Sequence, residues 1–205
     1  MNKEEVQFNL LNKLKFSKDD LVKLSVLNEE LLKFNRKYNL ISRTTEPFIW
    51  DRHILDSAQL VKYIDFEDKK SLSDLGSGAG FPGLILAIFN KNPNFHVKLF
   101  EKSNIKADFL ENIKNKLNIE CEILGRYQDE EIVSEYVVSR AFKKLDEILR
   151  ISRETIKVNH KLIILKGKNA EAEINKLLQP LEFIYKLEKS ITDPTSKILI
   201  VDIKK

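Results

Sequence analysis

Residues 74–83 read Asp74-Leu75-Gly76-Ser77-Gly78-Ala79-Gly80-Phe81-Pro82-Gly83, and they lie between a short apolar run and the apolar stretch 84–89. Glycines at alternate positions lack the Cβ atoms that would keep the backbone away from a ligand. They also allow φ > 0 in a tight turn between a strand and a helix. The sequence therefore predicts a loop whose backbone contacts a nucleoside.

Two classes of cofactor fit this loop. Residues 78–83 satisfy the G-x-G-x-x-G pattern of dinucleotide-binding folds. Pro82, however, lacks one of the N–H groups that a pyrophosphate needs at a helix N-terminus. Asp74 precedes the glycines, and Glu101 lies at the end of the next predicted strand. This combination resembles the first two motifs of class I S-adenosylmethionine-dependent methyltransferases. In that class the second acidic side chain accepts both ribose hydroxyls, and the combination favours a methyltransferase over nicotinamide or flavin binding.

Composition limits the class of protein. A chain of 205 residues with 42% hydrophobic content is long enough for one domain with an appendage. No apolar run reaches the ~18 residues of a membrane span, and the first residues lack the apolar core of a signal peptide, so we expect a cytoplasmic protein. The lone Cys121 cannot form an intramolecular disulfide and offers no zinc spacing, so we expect a core residue and no metal. The net charge of +4 permits a phosphate-rich partner without requiring one.

The first seventy residues have a helical pattern. Ser17 and Asp20 form a capping box that opens a helix, and its apolar positions 21, 24, 27, 31, 34 and 38 predict one buried face. Thr45-Glu46-Pro47 predicts the start of a further helix that runs to about residue 64. We therefore predict an N-terminal helical extension over residues 1–70.

From residue 71 onward, strand and helix signals alternate, which predicts an α/β fold with a largely parallel sheet. Strands are predicted near 72–75, 97–101, 120–124, 136–139 and 162–165, and helices at 84–89, 105–117, 145–158 and 170–178. The strand-like segments 182–187 and 198–203 are separated by too short a loop for a crossover helix, so they should form an antiparallel hairpin. The result is a Rossmann-like seven-stranded sheet whose last strand is antiparallel, in one compact unit over residues 71–205.

Several short motifs follow one another in a specific order. They are Asn39-Leu40-Ile41-Ser42, Arg52-His53-Ile54-Leu55-Asp56-Ser57, the glycine loop, Val138-Ser139-Arg140-Ala141-Phe142 and Leu165-Lys166-Gly167. This order resembles the RsmG family, also called GidB or glucose-inhibited division protein B, over residues 39–205. The resemblance implies a bacterial enzyme that transfers a methyl group from S-adenosylmethionine to N7 of a guanine in small-subunit (16S) ribosomal RNA, leaving S-adenosylhomocysteine.

The resemblance also implies which residues hold the cofactor. The family's contacts correspond to Gly76, Phe81, the Tyr127-Gln128 step and Arg140. Gly78 and Glu101 are added from the general pattern of class I enzymes. The chain departs from the common pattern in two places, since Gln128 stands where an acidic residue is usual and Glu101 replaces the more frequent Asp. The first difference removes a carboxylate from the adenine amino group, and the second lengthens the reach to the ribose.

Other residues keep two interpretations. His53 and Asp56 lie three positions apart, so they either form a structural pair or line the active site. Phe48 and Trp50 are core residues or stack on a base. Contacts to RNA phosphates are expected from Arg43, Arg52 and Lys166, with Lys168 a weaker candidate.

The implied chemistry needs no acid or base. Guanine N7 presents a free lone pair, so no proton has to leave the acceptor. The fourth predicted strand ends in Ser139-Arg140 rather than in the Asn/Asp-Pro-Pro-Tyr/Phe motif of many amino-directed methyltransferases, and we assign no catalytic residue. The alternatives are a small-molecule methyltransferase with the N-terminal helices as a lid, and a cofactor-binding protein that recruits a partner. The target nucleotide and the form of the substrate, naked RNA or an assembled subunit, stay open, and we expect a monomer.

Overall fold

One sheet organises the second part of the chain. The computed structural model describes residues 1–140, 143–167, 170–178 and 184–205, and within them seven strands form this sheet. The strands are β1 (Ser71–Leu75), β2 (His96–Phe100), β3 (Glu122–Leu124), β4 (Tyr136–Arg140), β5 (His160–Lys166), β6 (Ile184–Lys189) and β7 (Lys197–Ile203).

The order of the strands is β3-β2-β1-β4-β5-β7-β6. β1 to β5 pair in parallel, whereas β7 runs antiparallel to both β5 and β6. The predicted hairpin is thus confirmed, although residues 182 and 183 of its predicted first strand lie outside the described residues. Parallel pairing brings the carboxyl ends of β1, β2, β4 and β5 to one edge of the sheet, where open α/β sheets bind ligands.

Helices cover both faces of the sheet. They are α1 (Lys3–Phe8), α2 (Lys18–Tyr38), α3 (Asp56–Ala58), α4 (Gly83–Phe89), α5 (Asn104–Leu117), α6 (Leu145–Thr155) and α7 (Ala170–Leu178). Among the helices that the structure describes, none combines the length and the apolar character that crossing a membrane requires.

The strands bury alternate residues on opposite faces, as a covered parallel sheet requires. Val138 and Ile163 join one apolar cluster with the N-terminal helices, α4 and α5, and Cys121 is buried in this cluster as predicted. Val137 and Leu162 join a second cluster with α6 and α7. The N-terminal helices and the first sheet face therefore share one core.

The capping box of α2 is present as predicted. The Ser17 hydroxyl accepts from the Asp20 N–H at 3.1 Å, and the Asp20 carboxylate accepts from the Ser17 N–H at 2.9 Å. The predicted apolar face is buried at positions 24, 27 and 31. Tyr38 is an exception, because it is the last residue of the helix and is 41% exposed.

The predicted continuous helix over residues 45–64 is wrong in its form. The segment consists of a 3₁₀ turn (Arg43–Phe48), a π turn (Trp50–Leu55), the short α3 and a second 3₁₀ turn (Gln59–Tyr63). Pro47 removes one backbone donor in the first turn. The Asp56 N–H donates to the carbonyl of Asp51, five residues earlier, which marks the π turn. π turns are rare and are frequent at functional sites.

Candidate functional site

The glycine loop is tied to the end of β2. The N–H groups of Gly76 and Ser77 both donate to the carbonyl oxygen of Phe100, at 2.9 and 3.0 Å. Gly78 has φ of +59°, which side-chain-bearing residues rarely adopt. Among the described residues, a Cβ at Gly78 would meet only the carbonyl oxygen of Gly76, at 3.9 Å. The loop therefore leaves a space beside its backbone that a ligand can fill.

Glu101 lies at the floor of this loop. Its Oε2 accepts the Gly78 N–H at 2.8 Å, and its Oε1 accepts the Ser103 N–H at 2.8 Å. The side chain is buried, so both bonds hold the carboxylate in one orientation. A carboxylate offers about four lone-pair positions. Each oxygen of Glu101 therefore keeps capacity for one further donor, such as a ribose hydroxyl.

Asp74 connects the end of β1 to the start of α4. Its Oδ2 accepts the Gly83 N–H at 2.9 Å, and its Oδ1 is buried without a hydrogen-bond partner among the described residues. Burial raises the pKa of Asp74 to about 7, although the Gly83 N–H opposes this shift. A buried oxygen with an unused lone pair indicates a place where a bound donor would be stabilised.

Arg140 ends β4 and contacts residues from two other parts of the chain. Its Nη2 lies 2.8 Å from Nδ1 of His53, and its Nε lies 3.6 Å from Oδ2 of Asp56. The guanidinium is 5.9 Å from the centre of the Phe81 ring. Burial lowers the pKa of Arg140, while Asp56 and Asp74 act in the opposite direction. Nη1 is buried and has no partner within the described residues, so its two N–H donors are available for a ligand.

His53 lies in the π turn, next to Arg140. Its Nε2 is 2.9 Å from the Thr45 hydroxyl, and its ring centre is 5.0 Å from that of Phe81. The pKa of His53 is lowered to about 3, first by burial and then by the charges of Arg140 and Arg52. The imidazole is therefore neutral at physiological pH.

Asp56 joins the N-terminal segment to the loop between β6 and β7. Its Oδ1 accepts from Nε2 of Gln59 at 2.9 Å and from the Thr192 hydroxyl at 3.0 Å. The Ser190 hydroxyl lies 3.4 Å from the same oxygen. Burial raises the pKa of Asp56 above its ordinary value, and Arg140 and the two hydroxyls oppose that shift. His53 and Asp56 are therefore linked through Arg140 and not by a direct hydrogen bond, and Asp56 lines a cavity together with Arg140.

The predicted adenine contacts lie after β3. Tyr127 begins a 3₁₀ turn, Tyr127–Asp129, and is buried against the second apolar cluster, whereas Gln128 is exposed. This turn stands beside the ends of β2 and β3, because the Glu101 N–H donates to the Leu124 carbonyl at 3.0 Å. The turn therefore follows the strand that pairs with β2, next to the end of β2 from which Glu101 extends.

A cavity of about 430 Å³ opens at the ends of β4 and β5. Its lining includes Arg140 and the polar groups Asp51, Arg52, Asp56 and Lys166. Among the described residues, neither the glycine loop nor Glu101 belongs to this lining. The site therefore has two neighbouring parts, the loop and the cavity, and Arg140 contacts both.

The expected phosphate-binding lysines are only partly accessible. Nζ of Lys166 pairs with the Glu173 carboxylate at 2.7 Å, and the Lys166 side chain is 12% exposed. Lys166 is therefore a wall of the cavity with its charge already paired within the chain. Lys168 lies outside the described residues, as do residues 141 and 142 of the fourth motif.

Two aromatic residues near the π turn, each interpreted as a core residue or as a base-stacking residue, differ in burial: Trp50 packs against the first apolar cluster and Phe48 does not. Phe48 is 52% exposed. Trp50 is partly buried, and Nζ of Lys3 lies 4.8 Å from the centre of its ring. Phe48 is exposed because the 3₁₀ turn that holds it leaves its side chain outside the apolar clusters.

Four residues of the site belong to no motif in the sequence: Thr45, Gln59, Ser190 and Thr192. In the sequence, Thr45 indicates only the start of a helix, and Thr192 only a loop before Asp193-Pro194. Thr192 bonds Asp56 across 136 positions of sequence, and no local spacing connects them.

Comparison with known proteins identifies the family of this chain. Residues 20–198 match the family model GidB, described as rRNA small subunit methyltransferase G. A ribosomal RNA small subunit methyltransferase G from Pelagibacter ubique is 33% identical over 97% of this chain and 96% of its own length. Another of the same name, from Orientia tsutsugamushi, is 41% identical over 84% of this chain and 85% of its own length.

Solved structures agree on the fold. A SAM dependent methyltransferase from Aquifex aeolicus aligns with a TM-score of 0.57 at 14% identity, covering 83% of this chain and 96% of that one. The family match spans most of the sequence, and the site contains the glycine loop, the acidic residue after β2 and the arginine after β4 that the resemblance implies. The chain belongs to the GidB family of rRNA small subunit methyltransferases G.

Proposed function

We propose that this protein transfers a methyl group from S-adenosylmethionine to N7 of a guanine in bacterial 16S ribosomal RNA. The observation that carries the proposal is the position of Arg140, which contacts the glycine loop through Phe81 and also lines the 430 Å³ cavity. A cofactor at the loop and an acceptor base in the cavity would then meet beside the same guanidinium. Small-molecule sites typically measure about 300–1,000 Å³, so the cavity is large enough for one nucleobase.

The residues at the loop fit the cofactor. Gly78 leaves room beside the backbone, Gly76 has a φ of +77° in the same turn, and Glu101 has free lone pairs for the ribose hydroxyls. The Tyr127-Gln128 turn would flank the adenine. The unpaired Nη1 of Arg140 suits the carboxylate at the amino-acid end of the cofactor. When bound, S-adenosylmethionine supplies an electrophilic methyl group on a sulfonium.

The chain itself contributes positioning rather than proton transfer. Guanine N7 carries no proton at neutral pH, so the reaction needs no general base. His53 is the nearest imidazole, and it is neutral with its Nδ1 occupied by Arg140. Proximity and orientation of two bound reactants can supply roughly 7–11 kcal/mol of the barrier. We therefore assign no catalytic acid or base.

The remaining features of the proposal concern the partner. Arg52, which lines the cavity, and the exposed Arg43 would contact RNA phosphates, and an rRNA substrate implies a cytoplasmic location. We propose a monomer that needs no metal and acts on naked RNA or on the small subunit. Residues 1–70 form a helical extension that supplies His53 and Asp56, and residues 71–205 carry the sheet and the loop.

Mass spectrometry of 16S rRNA tests the function. Cells lacking the gene should lose one 7-methylguanosine, and the wild-type gene should restore it while the Gly78→Val gene should not. Glu122→Ala is a matched control, because Glu122 is exposed on β3 outside the site. An unchanged rRNA methylation pattern in the deletion strain would contradict the proposal and leave a small-molecule methyltransferase or a non-enzymatic cofactor-binding protein.

A further inference from the structure

A chain of hydrogen bonds runs from the N-terminal segment to Arg140. The Thr45 hydroxyl donates to the Ser42 carbonyl at 2.8 Å. Nε2 of His53 lies 2.9 Å from the same hydroxyl, and Nδ1 of His53 lies 2.8 Å from Nη2 of Arg140. Each bond is within ordinary hydrogen-bond distance.

The direction of this chain follows from the chemistry of its last member. A guanidinium has N–H donors and no acceptor, so Nδ1 of His53 must accept from Arg140. The proton of the neutral ring is then on Nε2, which donates to the Thr45 oxygen. Because the Thr45 proton is given to the Ser42 carbonyl, the hydroxyl oxygen is free to accept. The surroundings thus select one tautomer of His53.

The place of the ring is also determined by packing. His53 is 8% exposed, and its ring lies against that of Phe81 in the glycine loop. The Asp56 carboxylate forms an ion pair with Nε of Arg140 at 3.6 Å, whereas Nδ1 of His53 accepts a hydrogen bond from Nη2. A neutral acceptor orients the guanidinium without adding a second negative charge, so the cation stays available to an anionic ligand.

We propose that His53 is a positioning residue, whose Nδ1 holds the guanidinium of Arg140 so that Nη1 is presented to the carboxylate of the cofactor. The proposal rests on the cofactor-binding role of Arg140 given above. It assigns to the N-terminal segment a direct part in building the cofactor site. His53 acts through Arg140 and touches no reacting atom.

Two substitutions separate the bond from the packing. His53→Phe keeps a ring against Phe81 but removes the acceptor, and His53→Asn removes the ring but places an amide oxygen near the position of Nδ1. We expect His53→Phe to weaken S-adenosylhomocysteine binding about ten-fold or more in calorimetry, as the loss of a bond to a charged group predicts. His53→Asn should stay within about three-fold of the wild type. Cooperative melting curves identify folded variants. Equal losses in the two variants, or an unaffected His53→Phe, would overturn the proposal.

A double-mutant cycle tests whether His53 acts through Arg140. Arg140→Ala should weaken S-adenosylhomocysteine binding, and adding His53→Phe to it should cause little further loss, because the two residues form one unit. Additive losses would overturn the proposal while leaving the cofactor function intact. Normal binding by Arg140→Ala, or no binding by the wild type, would instead contradict the cofactor assignment on which the inference rests.

The tautomer gives an independent readout. In ¹⁵N NMR of histidine-labelled protein, His53 should show the Nε2–H form, and its Nδ1 signal should move in Arg140→Ala. An imidazole that exchanges freely between tautomers in the wild type would overturn the proposal.

Discussion

The carboxylate of Asp74 accepts a hydrogen bond from the backbone N–H of Gly83 at 2.9 Å, which joins the end of β1 to the first residue of α4 across the glycine loop. The two residues are so close that a Cβ on Gly83 would lie 2.6 Å from Oδ2 and 2.7 Å from Cβ of Asp74. Gly83 is therefore required by the close approach of a buried strand residue rather than by its backbone angles.

Gly83→Ala should destabilise the protein. Asp74 is buried in the sheet and cannot move aside, so we expect a loss of about 1–3 kcal/mol in the free energy of unfolding. Urea denaturation measures this loss. Gly125→Ala is the matched control, since no described heavy atom lies within 4 Å of a Cβ there. If Gly83→Ala is no less stable than Gly125→Ala, the predicted overlap is wrong.

Asp74 should make stability depend on pH. Burial raises its folded-state pKa to about 7, above the unfolded value of 3.8. The folded protein therefore keeps a proton that the unfolded chain loses, and the stabilisation present below about pH 4 is lost as pH rises towards 7. Asp74→Asn cannot titrate but retains an acceptor for Gly83. The free energy of unfolding of the wild type should thus fall relative to Asp74→Asn between pH 4 and 7 and stay level above that. A constant difference over this range would contradict the raised pKa.

Gly78→Val should abolish cofactor binding. The valine side chain would occupy the open space beside the loop, and its β-branched carbon is strained at the φ of +59°. We expect a folded protein with a lower melting temperature and no heat of S-adenosylmethionine binding in calorimetry. Glu122→Ala serves as the control and should bind normally, because Glu122 is exposed on β3 outside the site. A folded Gly78→Val protein with wild-type affinity would exclude the loop from the cofactor site.

Glu101→Ala should weaken S-adenosylmethionine and S-adenosylhomocysteine alike. Charge-assisted hydrogen bonds to the ribose would be lost, at about 1.5–3 kcal/mol. The variant also frees the N–H groups of Gly78 and Ser103, so its melting temperature should fall. Methyl transfer at saturating cofactor should change less than affinity. Normal cofactor affinity in this variant, with Glu122→Ala measured alongside it, would show that Glu101 does not contact the ribose.

Methyl transfer should be nearly independent of pH from about 6 to 9 in single turnovers at saturating RNA and cofactor. The acceptor N7 has no proton to lose, and His53, with a pKa of about 3, stays neutral throughout. The charged groups around His53 are Arg140, Arg52 and Asp56, and none of them supplies a base to N7. Asp74, with a pKa of about 7, also titrates in this range, but it bonds the Gly83 N–H and not the acceptor. Its ionisation should therefore change cofactor affinity, which saturation masks, rather than the rate. A ten-fold rise in rate per pH unit that disappears in His53→Gln would identify His53 as a base and redirect the target to an acceptor that carries a proton.

Local sequence pattern was sufficient to predict the sheet and the glycine loop. Each of the features that predicted them spans only a few residues: the alternating glycines, the acidic residue at the end of β2 and the short link between 187 and 198. Short segments are enough because turns and strands depend on the backbone preferences of neighbouring positions. The prediction placed Gly78 and Glu101 together correctly, since consecutive parallel strands bring their carboxyl ends to one edge.

For the segment 45–64, local pattern correctly predicted helical turns but wrongly predicted one continuous α-helix. Hydrophobic spacing does not distinguish an α turn from 3₁₀ and π turns when tertiary packing selects the face that is buried. The exposed Phe48 follows from that difference.

The sequence by itself determined the class of fold, the family and the residues at the strand ends. These depend on hydrophobic periodicity and on motifs that follow one another in a specific order. Only the tertiary structure decided what His53 and Asp56 do. His53 meets Arg140 across 87 positions and Asp56 meets Thr192 across 136. Such contacts arise when separate segments pack on one sheet edge, and burial there lowers the pKa of His53 and raises that of Asp56.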